Sequence, residues 1–236
     1  VVKEDAVLNP QMQLDPREPD VVAVMRCTAK KYEAAREEVS LDGQPRTDLV
    51  LTTKELAMMI RQAGIRFNEL APEAHDLLFG MYSGAGVLFG VTGGVTEAVI
   101  RRLIADKSNR SINNTQFLGV RGLEGVKELT VPYEGREIRI AIVSGLKNAD
   151  TLIRKIKSGE IYYDFVEVMA CPGGCINGGG QPIANLAGRE ERAEVLYADD
   201  RLSEVRHSEG NPQVKVAYDR IIKDQQHRLL HVHYGR

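Results

Sequence analysis

The residues able to do chemistry in this chain are its three cysteines. Two share the segment Met169–Pro182, which reads MACPGGCINGGGQP; the third, Cys27, lies in VMRCTAKKYE. Thiolates are soft donors that select zinc, copper(I) or iron–sulfur centres. Cys171 and Cys175 flank Pro172, Gly173 and Gly174, and three more glycines follow at Gly178, Gly179 and Gly180. Glycine reaches backbone conformations closed to other residues, so such a loop can fold around a bulky ligand and aim its N–H groups inward. Three chemistries compete for it. Free cysteines are often simply buried. Zinc takes four ligands, commonly from Cys-x2-Cys pairs, whereas the spacing here is Cys-x3-Cys and the nearest histidines in sequence are His207 and the C-terminal His227, His231 and His233. An iron–sulfur cluster, held by thiolates and tuned by N–H groups and apolar walls, fits the composition better.

The elements that must position these thiols follow from periodicity. Asp20–Met25 is a short apolar run after Pro19 and reads as a buried strand, with Cys27 at its carboxyl end. A helix is expected over TAKKYEAAREE with Thr28 as N-cap, and a second over KELAMMIRQAG with Thr53 as cap and Gly64 as stop. SGAGVLFGVTGGVTEAVIRRL is glycine-rich at first and helical from about Val95. Arg136–Val143 reads as a strand, Asn148–Lys157 as an amphipathic helix, and Tyr163–Met169 as a strand running straight into the cysteine loop. Strands alternating with helices make the class α/β, with a largely parallel sheet flanked by helices. Ligands in such sheets collect at the carboxyl ends of strands, where both cysteine segments fall. After Pro182 the chain becomes charged and helical, down to HRLLHVHYGR.

Composition excludes several classes. A net charge of −2 without a dense Lys/Arg block argues against a nucleic-acid partner. No apolar run reaches the ~18 residues of a membrane span, and no secretory signal opens the sequence. Three cysteines, an odd number, point to metal or redox chemistry rather than to a disulfide framework. The first residues, VVKEDAV, lack an initiator Met, so a processed or partial chain is expected.

The quoted segments carry a resemblance to the FeFe-hydrogenases, the iron-only hydrogenases. MACPGGCINGGGQP resembles the family signature Met-x-Cys-x-x-x-Cys-x-x-Gly-Gly-Gly-Gln-Pro, and VMRCTAKKYE resembles Met-Pro-Cys-x-x-Lys-x-x-Glu. SGAGVLFGVTGGVTEAVIRRL, VRGLEGVKE and the terminal HRLLHVHY are similar to further family stretches, in the same order. The resemblance implies that residues 1–186 form the second lobe of the H-cluster domain and that 187–236 form a helical tail like the hydrogenase small-subunit segment. It implies an H-cluster: a 4Fe–4S cubane joined through a cysteine sulfur to a two-iron unit with CO, cyanide and a bridging dithiolate amine. Cys27 and Cys171 would ligate the cubane, and Cys175 would bridge it to the two-iron unit.

The resemblance also assigns neighbours. Lys30 lies three residues after Cys27 and faces the same way on a helix; its ammonium would hydrogen-bond a cyanide ligand, with Glu33 orienting it. Spacing alone would leave Lys30 on a solvated face. Met25 and Met169 are soft apolar groups suited to a dry pocket, Phe89 would wall the two-iron site, and Gln181 would order the loop with Gly173, Gly174, Gly178, Gly179 and Gly180. The implied reaction is reversible oxidation of H2 to protons and electrons, with ferredoxin or a similar carrier as partner and maturation proteins supplying the cofactor. The alternative within the family is a non-catalytic iron–sulfur protein, an H2 sensor or a cluster-assembly relative. The tail fused to the same chain implies a cytoplasmic or organelle-matrix protein. Two departures stand out. The Thr-Ser-Cys-Cys-Pro-x-Trp signature, source of the remaining cubane cysteine and the proton-relay cysteine, is absent, so an N-terminal lobe or a partner chain is expected to supply it. Arg26 also stands where the family has Pro.

Overall fold

A computed structural model describes residues 20–73, 81–104, 108–115, 119–122, 125–183 and 186–232. In chain order its strands are β1 (Val22–Met25), β2 (Leu49–Thr52), β3 (Val126–Tyr133), β4 (Arg136–Ser144) and β5 (Phe165–Met169). The α-helices are α1 (Ala29–Ala34), α2 (Thr53–Gln62), α3 (Gly84–Val87), α4 (Gly94–Leu103), α5 (Asn109–Asn114), α6 (Leu146–Lys157), α7 (Leu186–Leu202), α8 (Pro212–Ala217) and α9 (Gln226–Leu230). The class is α/β, as the alternation of apolar patterns predicts. The strands form two sheets, and two of the three pairings among the described strands are parallel.

Among the described residues, one compact unit comprises 20–73, 179–182 and 212–232. Its sheet is β1 paired in parallel with β2, from Val22 opposite Leu49 to Met25 opposite Thr52. The expectation of a buried β1 fails: Val22 and Val24 are each 49% exposed, because among the described residues β1 pairs with β2 alone and successive side chains point to opposite faces. The first helix is also shorter than its sequence pattern. It stops at Ala34, and Thr28 occupies the N-cap position without a side-chain bond. The next helix begins one residue earlier than expected. Thr52, in extended backbone, accepts the Glu55 N–H at 3.2 Å while the Glu55 carboxylate accepts the Thr52 N–H at 2.8 Å. That reciprocal pair is a capping box, and it leaves Thr53 inside the first turn. Gly64 does end the helix, at φ +69°. Arg46 ties α9 down by donating to the carbonyls of Leu229 and Arg228.

The other unit comprises the described residues between 81 and 178 and between 183 and 211. Its sheet runs β3-β4-β5, with β3–β4 antiparallel and β4–β5 parallel. The hairpin turns through Glu134 and Gly135, both at positive φ, as two-residue hairpin loops favour. The central strand β4 is apolar on both faces because helices cover both. Ile138, Ile140 and Ile142 pack with Ile100 of α4, while Ala141 and Val143 pack with Ala149 and Leu152 of α6. A third apolar cluster joins Leu88, Val91 and Ile176 to Ala193 and Tyr197 of α7. Beneath it lies a buried ionic network. Arg101 donates to Glu97 at 2.6 Å and to Asp200 at 2.6 and 2.8 Å, Arg121 donates to Glu97 and Asp200, and Arg206 donates to Asp200.

Candidate metal centre

Cys27 follows β1 by two residues, and its backbone is held from the glycine-rich strap Gly179–Pro182 of the same unit. The Gly180 N–H donates to the Arg26 carbonyl at 3.1 Å, and the Gly180 carbonyl accepts the Lys54 N–H at 3.1 Å. A Cβ on Gly180 would lie 2.9 Å from both the Arg26 carbonyl carbon and the Cys27 nitrogen. Only glycine permits that approach. A Cβ on Gly179 would meet the Thr28 Oγ1 at 3.3 Å. On α1, Lys30 and Glu33 form the expected pair, with Nζ to Oε2 at 2.5 Å and both side chains about half exposed. Exposed pairs of this kind add little stability; the contact places the Lys30 ammonium against the Glu33 carboxylate. The adjacent Lys31 reaches Glu55 at 2.8 Å. With the Thr52 N–H and hydroxyl, that bond pulls the Glu55 carboxyl down to about 2.

Cys171 and Cys175 sit together in one loop of the other unit, past the end of β5. The loop is locked by a buried polar hub at the end of β4. The Ser144 hydroxyl accepts the Gly173 N–H at 2.7 Å and donates to the Cys171 carbonyl at 3.3 Å. The Thr92 N–H donates to the Gly173 carbonyl at 3.3 Å. Gly173 and Gly174 take φ of +82° and +95°, and a Cβ on Gly174 would lie 2.7 Å from the Thr92 nitrogen. The far side is a 3-10 turn, Cys175–Asn177, pinned by buried Ile176 and by Arg192, which donates to the Ile176 carbonyl. Behind the loop the buried Glu167 carboxylate accepts the N–H groups of Gly93 and Thr96 and the Thr96 hydroxyl, each at 2.7 Å. A carboxylate there satisfies the orphan amides at the start of α4 and complements its dipole.

The inward-pointing amides expected of the glycine loops are a point of difference. The N–H of Gly173 goes to Ser144, that of Gly174 to the Cys171 carbonyl at 3.0 Å, that of Gly178 to the Cys175 carbonyl at 3.0 Å, and that of Gly180 to Arg26. Gly174 and Gly178 close i to i+3 turns within the loop, while Gly173 and Gly180 are taken by Ser144 and Arg26, so these four amides serve close approach and loop order.

All three cysteines are partly exposed and none is in a disulfide. Met25, Met169 and Gln181 are likewise half-buried, and Phe89 is 49% exposed. Among the described residues no group of three or more His, Cys, Asp or Glu is gathered around a point where a metal could sit. The donor chemistry nevertheless suits an iron–sulfur group: accessible soft thiols on rigid loops at strand ends. Sequence reasoning missed Ser144, Thr92 and Glu167. The available signal was position, since Ser144 pairs with Met169 at the carboxyl edge of the sheet.

Thiol-bearing loops at the strand ends of an α/β fold are suited to a metal centre. Residues 3–179 match the family described as iron only hydrogenase large subunit, C-terminal domain, and residues 186–236 match iron hydrogenase small subunit. The chain is 41% identical over 220 residues to the NADP-reducing hydrogenase subunit HndD of Solidesulfovibrio fructosivorans, covering 91% of this chain and 37% of that protein. It is 31% identical over 237 residues to the cytosolic iron-sulfur assembly component 3 of Bos taurus, covering 95% and 49%. The fold superposes on the apo [FeFe]-hydrogenase HydA1 from Chlamydomonas reinhardtii, variant C377H, with a TM-score of 0.74 and 33% identity, over 99% of this chain and 66% of that one. The chain therefore belongs to the iron-only hydrogenase family, in the carboxyl-terminal region of its large subunit, and spans from 37% to 49% of the two full-length relatives. No helix among the described residues is long and apolar enough to cross a membrane.

Proposed function

We propose that this chain is the part of an iron hydrogenase that carries most of the protein ligands of an H-cluster, and that the whole protein interconverts H2 with protons and electrons. The observation that carries the reading is the pair of thiol loops held by glycine contacts, Gly180 on the Cys27 peptide and Gly174 on the Val91–Thr92 peptide, in a chain 41% identical to part of a hydrogenase. Cys27 and Cys171 would hold the 4Fe–4S cubane, and Cys175 would bridge to the two-iron unit. When bound, that group supplies the redox chemistry and the basic amine for heterolytic cleavage of H2. The chain's own part is ligation and electrostatics. Lys30, directed by Glu33, offers N–H donors to an anionic ligand, and Met25, Met169 and Phe89 supply apolar surface against water. A fourth cysteine and the proton relay would come from the N-terminal lobe or a partner chain. Electrons would pass to ferredoxin or a similar carrier, after cofactor delivery by maturation proteins, in the cytoplasm or an organelle matrix.

The 31% identity to a cytosolic iron–sulfur assembly component over 95% of this chain favours a second reading, a non-catalytic cluster protein. Anaerobic reconstitution of a chain that includes the upstream lobe separates the two. Infrared bands of bound CO and cyanide, with hydrogen evolution from reduced viologen, are the expected result. A 4Fe–4S spectrum without those bands, after maturation with the two-iron cofactor, would establish the second reading instead.

A further inference from the structure

The Ser144 side chain is 2% exposed at the last residue of β4. It does two things at once: its oxygen accepts the Gly173 N–H at 2.7 Å and its hydroxyl proton points to the Cys171 carbonyl at 3.3 Å. Those two groups bracket Pro172, which has no N–H to give, so the first half of the turn cannot close on itself there. The turn does close one step on, where the Gly174 N–H reaches back to the Cys171 carbonyl at 3.0 Å. The Cys171 carbonyl oxygen thus receives both the loop's own amide and the Ser144 hydroxyl. Gly173, at φ +82°, is held from its other side as well, its carbonyl accepting the Thr92 N–H. Thr92 is itself fully buried.

We infer that Ser144 is the positioning residue of the Cys171–Cys175 loop, and that its hydroxyl keeps the Gly173 amide turned away from a cluster bound at Cys171. The first half concerns the loop alone. The second rests on the function proposed above. The physical reason is that a buried N–H without a partner is costly. With Ser144 in place Gly173 is satisfied by the sheet, and the loop holds one conformation before any metal arrives. Without the hydroxyl the amide must find another acceptor, and the sulfur of a cluster held by Cys171 would be one. A hydrogen bond to a cluster sulfur stabilises its reduced, more negative state and raises its reduction potential. Ser144 thereby acts on both the order of the loop and the electronic state of what it holds.

Hydrogen exchange on the metal-free full chain tests the first half. In Ser144→Ala, the amides of Cys171, Gly173 and Gly174 should exchange about tenfold faster than in the parent, while the β3–β4 hairpin amides keep their protection. Equal acceleration of loop and hairpin would show a general loss of stability and overturn the positioning role, as would an unchanged loop. Should Ser144→Ala not fold, the near-isosteric pair Ser144→Thr and Ser144→Val decides, since the two differ by the hydroxyl alone. Threonine should retain loop protection and valine should lose it; loops that exchange alike in the two would refute the assignment. The second half is read in reconstituted protein containing the upstream lobe, by redox titration of the cluster's paramagnetic signal. A more positive midpoint in Ser144→Ala, restored by Ser144→Thr, is expected. An unshifted midpoint with the loop effect intact would remove the electronic role and leave the positioning one. Absence of any cluster in the parent protein would instead refute the proposed function.

Discussion

Gly180 and Cys27, 153 positions apart in the chain, are placed so that a single methyl on Gly180 would lie 2.9 Å from the Cys27 nitrogen. The strap that follows the Cys171–Cys175 loop thus reaches the first cysteine's peptide, and the Gly180 amide bonds the residue before it. Gly180→Ala must push either the strap or the Cys27 peptide, because the obstructing atoms are backbone. Overpacking of this kind costs about 1–3 kcal/mol. The expected result is a lower urea midpoint and reduced iron retention after gel filtration in the reconstituted protein. Gly179→Ala, whose Cβ meets the rotatable Thr28 side chain at 3.3 Å, should be far milder. If both behave alike, the close approach at Gly180 has no special part in holding Cys27.

The pair Lys31–Glu55 gives a pH-dependent contact between α1 and α2. Glu55 is drawn down from the usual 4.5 to about 2, first by the Lys31 ammonium and then by the Thr52 N–H and hydroxyl. A carboxyl lower in the folded state than in the unfolded one stabilises fully above the unfolded value and loses that contribution as pH falls through the folded value. The capping box should therefore persist at pH 5 and weaken between about 4.5 and 2. Titration of the Glu55 carboxyl carbon by NMR checks this directly. Lys31→Ala removes the largest cause, so the midpoint should rise toward the ordinary range.

How far the fold is legible in the sequence depends on where the charged side chains point. REIRIAIV reads as β4 because it alternates and then becomes apolar. By contrast β3, VKELTVPY, escapes a reading by pattern, because its inward row contains Lys127. That lysine is 7% exposed, and its ammonium donates to the Val120 and Gly122 carbonyls, so the alternation looks broken in sequence although it is intact in space. Arg101 on α4 and Glu167 on β5 are buried as well, and there the apolar pattern still marks the element; what the pattern does not show is their distant partners, Asp200 and Thr96. The thiols, the glycine strap and the Lys30–Glu33 pair are legible because their spacing is local. Ser144 and Thr92 are not, because one hydroxyl or one backbone amide near a loop is invisible until the fold brings the strands together.

The three cysteines should separate by role in a chain that includes the upstream lobe. Cys175→Ser is expected to retain a 4Fe–4S spectrum while losing the infrared bands of CO and cyanide, because only the bridge to the two-iron unit is removed. Cys27→Ser and Cys171→Ser should instead lower iron content and weaken the cubane signal itself. Replacing His227 and His231 with Gln should leave iron content unchanged. Their rings contact each other on the exposed tail helix, and His233 lies outside the described residues. Loss of the cubane in Cys175→Ser with its retention in Cys27→Ser would reverse the proposed assignment.

Asp200 is the hinge of the buried ionic network, accepting from Arg101, Arg206 and Arg121 while fully buried itself. Burial pushes its carboxyl up, but the bonds from Arg101 and Arg206 outweigh that and hold it below the usual carboxylate range. Its ionised form therefore stabilises the fold above the ordinary aspartate range, and that contribution fades as pH falls below it. Asp200→Asn leaves Arg101 and Arg121 with Glu97 as their carboxylate partner and Arg206 with the Asn113 side chain. Removing one partner of a buried ion pair costs about 3–5 kcal/mol, mostly because the surviving charge stays desolvated. The network also joins α4, matched by the large-subunit family, to α7, matched by the small-subunit family. The loss should thus appear first as faster hydrogen exchange in α7, ahead of the β3–β4 hairpin. Asp200→Asn combined with Arg101→Met should recover part of the stability, because the second change removes one uncompensated charge. A double variant less stable than Asp200→Asn alone would mean that Arg101 is held chiefly by Glu97 and the Arg206 carbonyl.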